Sequence, residues 1–448
     1  MRRRINGQLT LRYEAGGLTS FAGLELVGRF IRRLDFRAAL RRVARALPKS
    51  DFGAVELSML VLAMLIAGAR RVRHVCYLAN DPLVERLCGL SRLPSWHTLG
   101  RWLRGFDEGG VKALLEVNER LVADVIDHSG LPRLTLDVDG SVVSTGLRVE
   151  GARRGFNPHR RKVPSYYPIT AYEANTGQVL RVRNRSGNVH DGKASLVFLG
   201  ELFEQLGATL GRRPVLEIRM DGAFFHAPVI DLLDKEGVEY AIKVPFWRWL
   251  GLKEHIARRR HWERVDETVE SFDQWLWVPA WSRVMRVVVY RKRVRHQTAK
   301  NYQLDLFDPD DGYYEYSAIV TNKEVTGRTL WFFMCGRGTH EKVYGELKGG
   351  FAFDCLPTQR YHANSAWQVF SILAFNLMRA MQAGTTERRS TNRKRRAIRP
   401  FLTIQTLRYG FINRAGLLVQ PSGRHILDVG NNSMIRERFK TIESAFAA

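Results

Sequence analysis

From Arg133 onward the chain sets apolar runs between polar turns in an order that few folds accept: three strands, a helix, a strand, a helix and a strand. Leu134-Thr-Leu-Asp-Val-Asp-Gly-Ser-Val-Val reads as the first strand. Tyr166–Tyr172 and Val179–Asn184 read as the next two, joined by the turn Asn175-Thr-Gly177. Lys193–Leu206 is amphipathic at helical spacing, Val215–Met220 is an apolar strand, Ala227–Lys235 a helix and Tyr240–Val244 a strand. A meander followed by strand–helix–strand units predicts a mixed α/β sheet.

The flanks read differently. Residues 1–130 are helical in pattern. Val55–Ala69 is apolar nearly all round, and Val111–Ile126 carries Leu114, Leu115, Val117, Leu121, Val122 and Val125 at helical spacing. Between them Ser95 is placed to cap a helix with an apolar stripe of Trp96, Leu99, Trp102 and Leu103, while Arg101 and Arg104 point elsewhere. That helix is either the recognition helix of a helix-turn-helix or a surface helix with basic residues. Residues 245–325 break the α/β alternation and read as a β-rich insertion, with strand-like runs at Trp275–Val278, Val284–Val294 and Tyr313–Thr321. Helices return at Thr329–Lys348 and Ala366–Met381. From 386 the chain is basic, with seven Arg or Lys between Glu387 and Arg399 that suit a solvated linker or an arm on nucleic acid.

Lys and Arg number 70 against 45 Asp and Glu, a net charge of +25 in 448 residues. Such a surplus favours a polyanionic partner, most often nucleic acid. The longest apolar run is too short to span a bilayer, so no membrane is expected. Arg2, Arg3 and Arg4 lead into no hydrophobic stretch, and the four cysteines form no C-x-x-C pair. Together these suggest a cytoplasmic, reducing setting. No phosphate-cradling G-x-x-x-x-G-K-[ST] loop is present, so no nucleotide cofactor is expected.

In a chain where bases outnumber acids, carboxylates at strand ends need a reason. Asp137 and Asp139 alternate with Val138 and share one strand face, and Asp221 closes the fourth strand. One such Asp is as readily a turn cap. Two on neighbouring strands suggest a hard divalent cation such as Mg²⁺. A third acid is offered by Glu341. At 100° per residue, Arg337 and Lys348 fall within about 40° of it or of each other on a helix. A surface ladder of salt bridges gives the same spacing.

Here the chain resembles bacterial insertion-sequence transposases of the DDE type. Arg337, Glu341 and Lys348 reproduce the R-E-K part of their Y-R-E-K signature, and the position of its tyrosine holds Met334. Leu136-Asp-Val-Asp139-Gly, Gly187-Asn-Val-His-Asp191, Arg219-Met-Asp221-Gly and Ala374-Phe-Asn376-Leu follow in the family's order. The resemblance implies a ribonuclease H-like core, interrupted by the insertion, behind an α-helical N-terminal DNA-binding domain. The core would comprise 131–244 and 326–385, the helical domain 1–130, and the basic C-terminal region 386–448. It implies catalysis by Asp139, Asp221 and Glu341 with two Mg²⁺ ions, for which Mn²⁺ would substitute. Arg337 and Lys348 would hold phosphates. Double-stranded DNA, as terminal inverted repeats and as target, would be the partner, with a homodimer in the synaptic complex of a nucleoid-associated bacterial protein.

Between Asp137 and Asp139 the residues alone do not choose. Gly140 and Ser141 match the family context after the first acid and favour Asp139, which leaves Asp137 a supporting role. His190 with Asp191 is either a catalytic dyad or a loop-bracing hydrogen bond, and His226 either supports Asp221 or starts a helix. Six of the ten tryptophans fall between 247 and 281. Most of these suit a core, but Trp247, Trp249 and Trp275 are candidates for stacking on a base beside the cut.

Overall fold

Helical spacing upstream of Arg133 produces helices there, and a short strand precedes them. After β1 (Leu18–Thr19) come α1 (Leu24–Arg33), α2 (Phe36–Val43), α3 (Ala54–Ala67), α4 (Pro82–Cys88), α5 (Trp96–Arg104) and α6 (Glu108–Ser129). The computed structural model describes residues 11, 13, 16–146, 148–155, 157, 162–189, 191–293, 314–386 and 400–447. Apolar all round, α3 is buried throughout Leu57–Ala67. Ser95 does cap α5, its hydroxyl accepting from the Thr98 amide. One stripe residue departs from expectation: Leu99, Trp102 and Leu103 are buried, but Trp96 at the first turn is exposed.

The strand–helix order then unfolds as β2 (Arg133–Gly140), β3 (Val143–Ser144), β4 (Ser165–Tyr166), β5 (Ile169–Glu173), β6 (Gln178–Arg183), α7 (Asp191–Thr209), β7 (Val215–Met220), α8 (Ala227–Lys235) and β8 (Glu239–Val244). The run expected over Tyr166–Tyr172 is two strands, because Pro168 has no N–H to give a ladder. β2 pairs antiparallel with β5 and β5 with β6, whereas β2–β7 and β7–β8 are parallel. This is the mixed sheet of a ribonuclease H-like core. Leu136, Val138, Ile218 and Met220 turn to one face and join a core with Phe198 and Leu202 of α7 and Val229 and Leu233 of α8. Alternation sends Asp137, Asp139, Arg219 and Asp221 to the other face.

After α9 (Leu252–Arg258) the insertion is strand-rich, as its pattern predicts: β9 (Glu263–Arg264), β10 (Val269–Val278), β11 (Arg283–Arg293) and β12 (Tyr314–Thr321). Its strands extend the core sheet through β8–β12 pairing, giving nine strands in the order β6-β5-β2-β7-β8-β12-β11-β10-β9. The helix expected over Thr329–Lys348 is instead two, α10 (Gly327–Cys335) and α11 (Gly338–Phe351). The break lies where a Cβ on residue 336 would collide with the Arg219 guanidinium, so Gly336 lets that side chain in. Next, α12 (Tyr361–Thr385) is buried over Ala363–Gln382. The basic run at 387–399 lies outside the described residues.

The last part, whose pattern assigns no elements, folds as α13 (Ile404–Leu407), β13 (Gly416–Val419), β14 (Ile426–Asp428) and α14 (Ser433–Ala447). It closes on the N-terminal helices: β13 pairs with β1, Arg29 bridges Glu443, and Phe30 stacks on Phe446. No helix among the described residues is long and apolar enough to cross a membrane.

A buried amide staple ties three elements together. The Asn376 side chain on α12 accepts from the Val179 amide and donates to the Val179 carbonyl and to Asn118 of α6. Asn118 donates in turn to the carbonyls of Val179 and Leu180 on β6. Asn376→Ala leaves the Val179 amide without its acceptor in the interior, so we expect a loss of about 2–3 kcal/mol in denaturant unfolding. An exposed change such as Asn431→Ala should shift the midpoint far less.

Candidate active site

The site begins with the register of β2 against β7. Asp137 lies opposite Arg219 in the parallel pair. The carboxylate accepts two hydrogen bonds from that guanidinium, at 2.6 and 2.7 Å, and is fully buried. Burial pushes the Asp137 carboxyl up from its ordinary value, while the charge and hydrogen bonds of Arg219 pull it down. The third nitrogen of Arg219 donates to the Phe333 carbonyl at 2.8 Å, at the end of α10. Asp137 is thereby committed to holding the sheet and the α10–α11 junction in place.

Two residues further along each strand, the next acids emerge side by side. Asp139 Oδ1 accepts from the Gly140 amide and Asp221 Oδ1 from the Ala223 amide. Both Oδ2 atoms face one cation: Arg337 Nη2 is 2.9 Å from Asp139 Oδ2 and 3.6 Å from Asp221 Oδ2. Arg337 stands at the start of α11 and is mostly covered, with its Nε buried and unpaired.

What seats α11 was not foreseen from the sequence. His340, Tyr344 and Thr170 are linked to Asp139 by a relay. The His340 Nε2 is 3.0 Å from the Thr170 hydroxyl, which donates to the Tyr344 phenol, which donates to the Asp139 carbonyl at 2.8 Å. The relay is satisfied when His340 donates from Nε2. Its ring is stacked between Tyr172 and Tyr344, and burial, helped by Arg337 and Arg219, pushes its pKa down to about 3. The imidazole is therefore neutral. The only sequence signal for this relay is the spacing of 340 and 344, one turn apart on α11. Lys348 caps the same face, donating to the Val142 carbonyl at 3.0 Å. Desolvation pushes its ammonium below the usual value.

Glu341 lies in the first turn of α11, exposed, four residues beyond Arg337. Asp139 and Asp221 are thus brought together. Among the described residues no three acidic, histidine or cysteine side chains gather closely enough to hold a metal ion. The donor set of the aspartate pair nonetheless suits a hard cation, since two carboxylate oxygens already converge on one positive charge.

The chain matches, over residues 2–447, the model of the family described as transposase DDE domain group 1. It belongs to that family. No curated protein matches it significantly. Among solved structures, a cryo-EM structure of the piggyBac transposase synaptic complex with hairpin DNA is similar at 12% identity and a TM-score of 0.43, covering 80% of this chain and 74% of that one.

Around the acids of this DDE family member, the other expected residues are distributed unevenly. Trp247 and Trp249 are half-exposed and stacked 5.5 Å apart. Phe225, four residues beyond Asp221, touches both Trp247 and Trp281, and Trp249 touches Trp281. Trp275 is exposed on β10, and no ring contact joins it to this cluster among the described residues. His226 precedes α8 without a capping hydrogen bond, and its Nδ1 is buried and unpaired. His190 and the side chain of Asp191 lie outside the described residues.

The different burial of the two β2 acids separates their roles in a melt. Asp137→Asn strands a buried guanidinium and should cost about 3–5 kcal/mol. Asp139→Asn removes one of two carboxylates crowded on a single guanidinium and should change stability by less than about 1 kcal/mol. Equal losses in chemical denaturation would contradict this division.

Proposed function

We propose that the chain is a DNA transposase that cuts at the ends of an insertion sequence and joins the freed ends to target DNA by two-metal phosphoryl transfer. The observation that carries this reading is the sharing of one guanidinium by Asp139 and Asp221, at neighbouring parallel strand ends, in a chain that matches a transposase family over nearly its whole length. Asp139 and Asp221 would hold the ions from the sheet, and Glu341 would contribute the third carboxylate from the first turn of α11. Two Mg²⁺ ions, or Mn²⁺ in their place, would supply Lewis-acid stabilisation of the phosphoryl group and activate a water or 3′-hydroxyl.

The protein's own groups do the rest. Arg337 sets a guanidinium charge beside the acids, where it would attract phosphate oxygens, and Lys348 adds a positive charge about three turns along the same helix. The relay from His340 to the Asp139 carbonyl fixes α11 against β2, so these side chains keep their spacing while DNA binds. No covalent enzyme intermediate and no nucleotide cofactor are required. Trp247 and Trp249 stack on an unpaired base at the cut end, a contact worth about 1–3 kcal/mol per base. Two copies hold the two ends in a synaptic dimer.

The test uses a plasmid bearing the DNA that flanks the gene on both sides, where this reading expects inverted repeats. The wild type should nick at the repeats with Mg²⁺ or Mn²⁺ and join the ends to a second plasmid. Asp139→Asn, Asp221→Asn and Glu341→Gln should each lower both steps by more than roughly a hundredfold, beyond the effect of losing a group outside the ligand set. Undiminished joining by any of the three removes that residue from the site. Cutting of any duplex, without preference for the repeats and without joining, would identify a plain nuclease instead.

A further inference from the structure

Far from the acids, a cavity of about 440 Å³ opens between the turn Val72–Tyr77, α5 and the loop after α11. It is lined by Arg71, Arg73, Trp96, His97 and Arg104, all exposed. The local fold aims them there. Val72 and Val75 are buried and turn Arg71 and Arg73 outward, and the buried Leu99, Trp102 and Leu103 do the same for Trp96, His97 and Arg104 on α5. Arg70 is spent structurally: it donates to the Gly349 carbonyl and pairs with Asp354, fastening this turn to the end of α11. Arg71, Arg73 and Arg104 make no ion pair among the described residues. Three guanidinium groups around one concavity, beside an exposed indole, form an anion-binding surface that no acid among the described residues neutralises by an ion pair.

Position identifies the anion. Arg337 and Glu341 stand at the start of α11 and the groove at its end. Fourteen helical residues span about 21 Å, the length of about six base pairs of duplex. Lys348, on the same helix face as Arg337, adds positive charge between the two ends. We propose that this groove is a second DNA-contact site, gripping the phosphate backbone of the duplex arm about six base pairs from the phosphate held at the acids. Arg71, Arg73 and Arg104 contact phosphates, and Trp96 covers the sugar face between them. The site rests on the DNA-cutting reading above for its orientation, but its binding chemistry can be measured without cutting.

The experiment measures anisotropy of a fluorescent 30-base-pair duplex of random sequence against salt, without divalent metal. Each phosphate contact contributes about 0.9 to the log–log slope. Replacing the three by alanine (Arg71→Ala, Arg73→Ala, Arg104→Ala) should lower the slope by about 2–3 and weaken binding at least about tenfold at low salt. The same three changed to lysine should keep the slope, which guards against a misfolded alanine variant. A control removes equal charge from exposed positions outside the cavity lining, Arg41→Ala, Arg42→Ala and Arg45→Ala. An unchanged slope in the groove variant, or an equal loss in the control, overturns the proposal. Failure of the wild type to nick DNA would remove the catalytic reading and leave these slopes to decide the groove on their own.

Discussion

The arrangement depends on one buried ion pair. Asp137 and Arg219 face each other across the parallel β2–β7 ladder, and a slip of either strand by one residue would turn its member of the pair to the opposite, apolar face. A pair so fully desolvated is seldom a large net source of stability, because the cost of taking both charges from water nearly cancels their attraction. Its contribution is positional. It fixes the two strands in register, so the next outward residues, Asp139 and Asp221, leave the sheet together. It also sends a guanidinium nitrogen to the end of α10, which ends that helix and starts α11 with Arg337 over the acids.

Two carboxylates held side by side repel, and in this protein the repulsion is met from within. Arg337 lies between them, while each aspartate's other oxygen is occupied by an amide of its own turn. The acid pair is therefore kept in place without needing an external ion to hold its shape. Behind it, the neutral His340, clamped between two tyrosines, makes the relay to the Asp139 backbone insensitive to the charge state of its surroundings across ordinary pH.

Much of this was legible in the residues. The buried parallel strands read as short apolar runs, and α3 and α12 as long apolar stretches, because burial on all sides leaves little room for polar substitution. The placing of Asp139 and Asp221 followed from strand alternation. The same alternation placed Arg219 and Asp221 in phase with Asp137 and Asp139, a signal present in the motif but meaningful only once the two strands are known to be neighbours. The break at Gly336 was hidden for the same reason, since its cause is a side chain more than a hundred residues away in sequence. Trp96 fitted an apolar stripe by spacing, yet it stays partly exposed beside His97. The union of the insertion with the core sheet was equally illegible, because a strand's own pattern does not say which edge it will join.

The small sheet formed by β1, β13 and β14 has a consequence for how the molecule is made. Leu18 pairs with Leu417, so the two partners leave the ribosome at widely separated times. Until that strand arrives, the helices around Asp81, whose carboxylate binds Thr19, lack part of their cover. Assembly of this small sheet therefore waits until β13 and β14 have been made, and a nascent chain truncated before them carries the acids without that clasp.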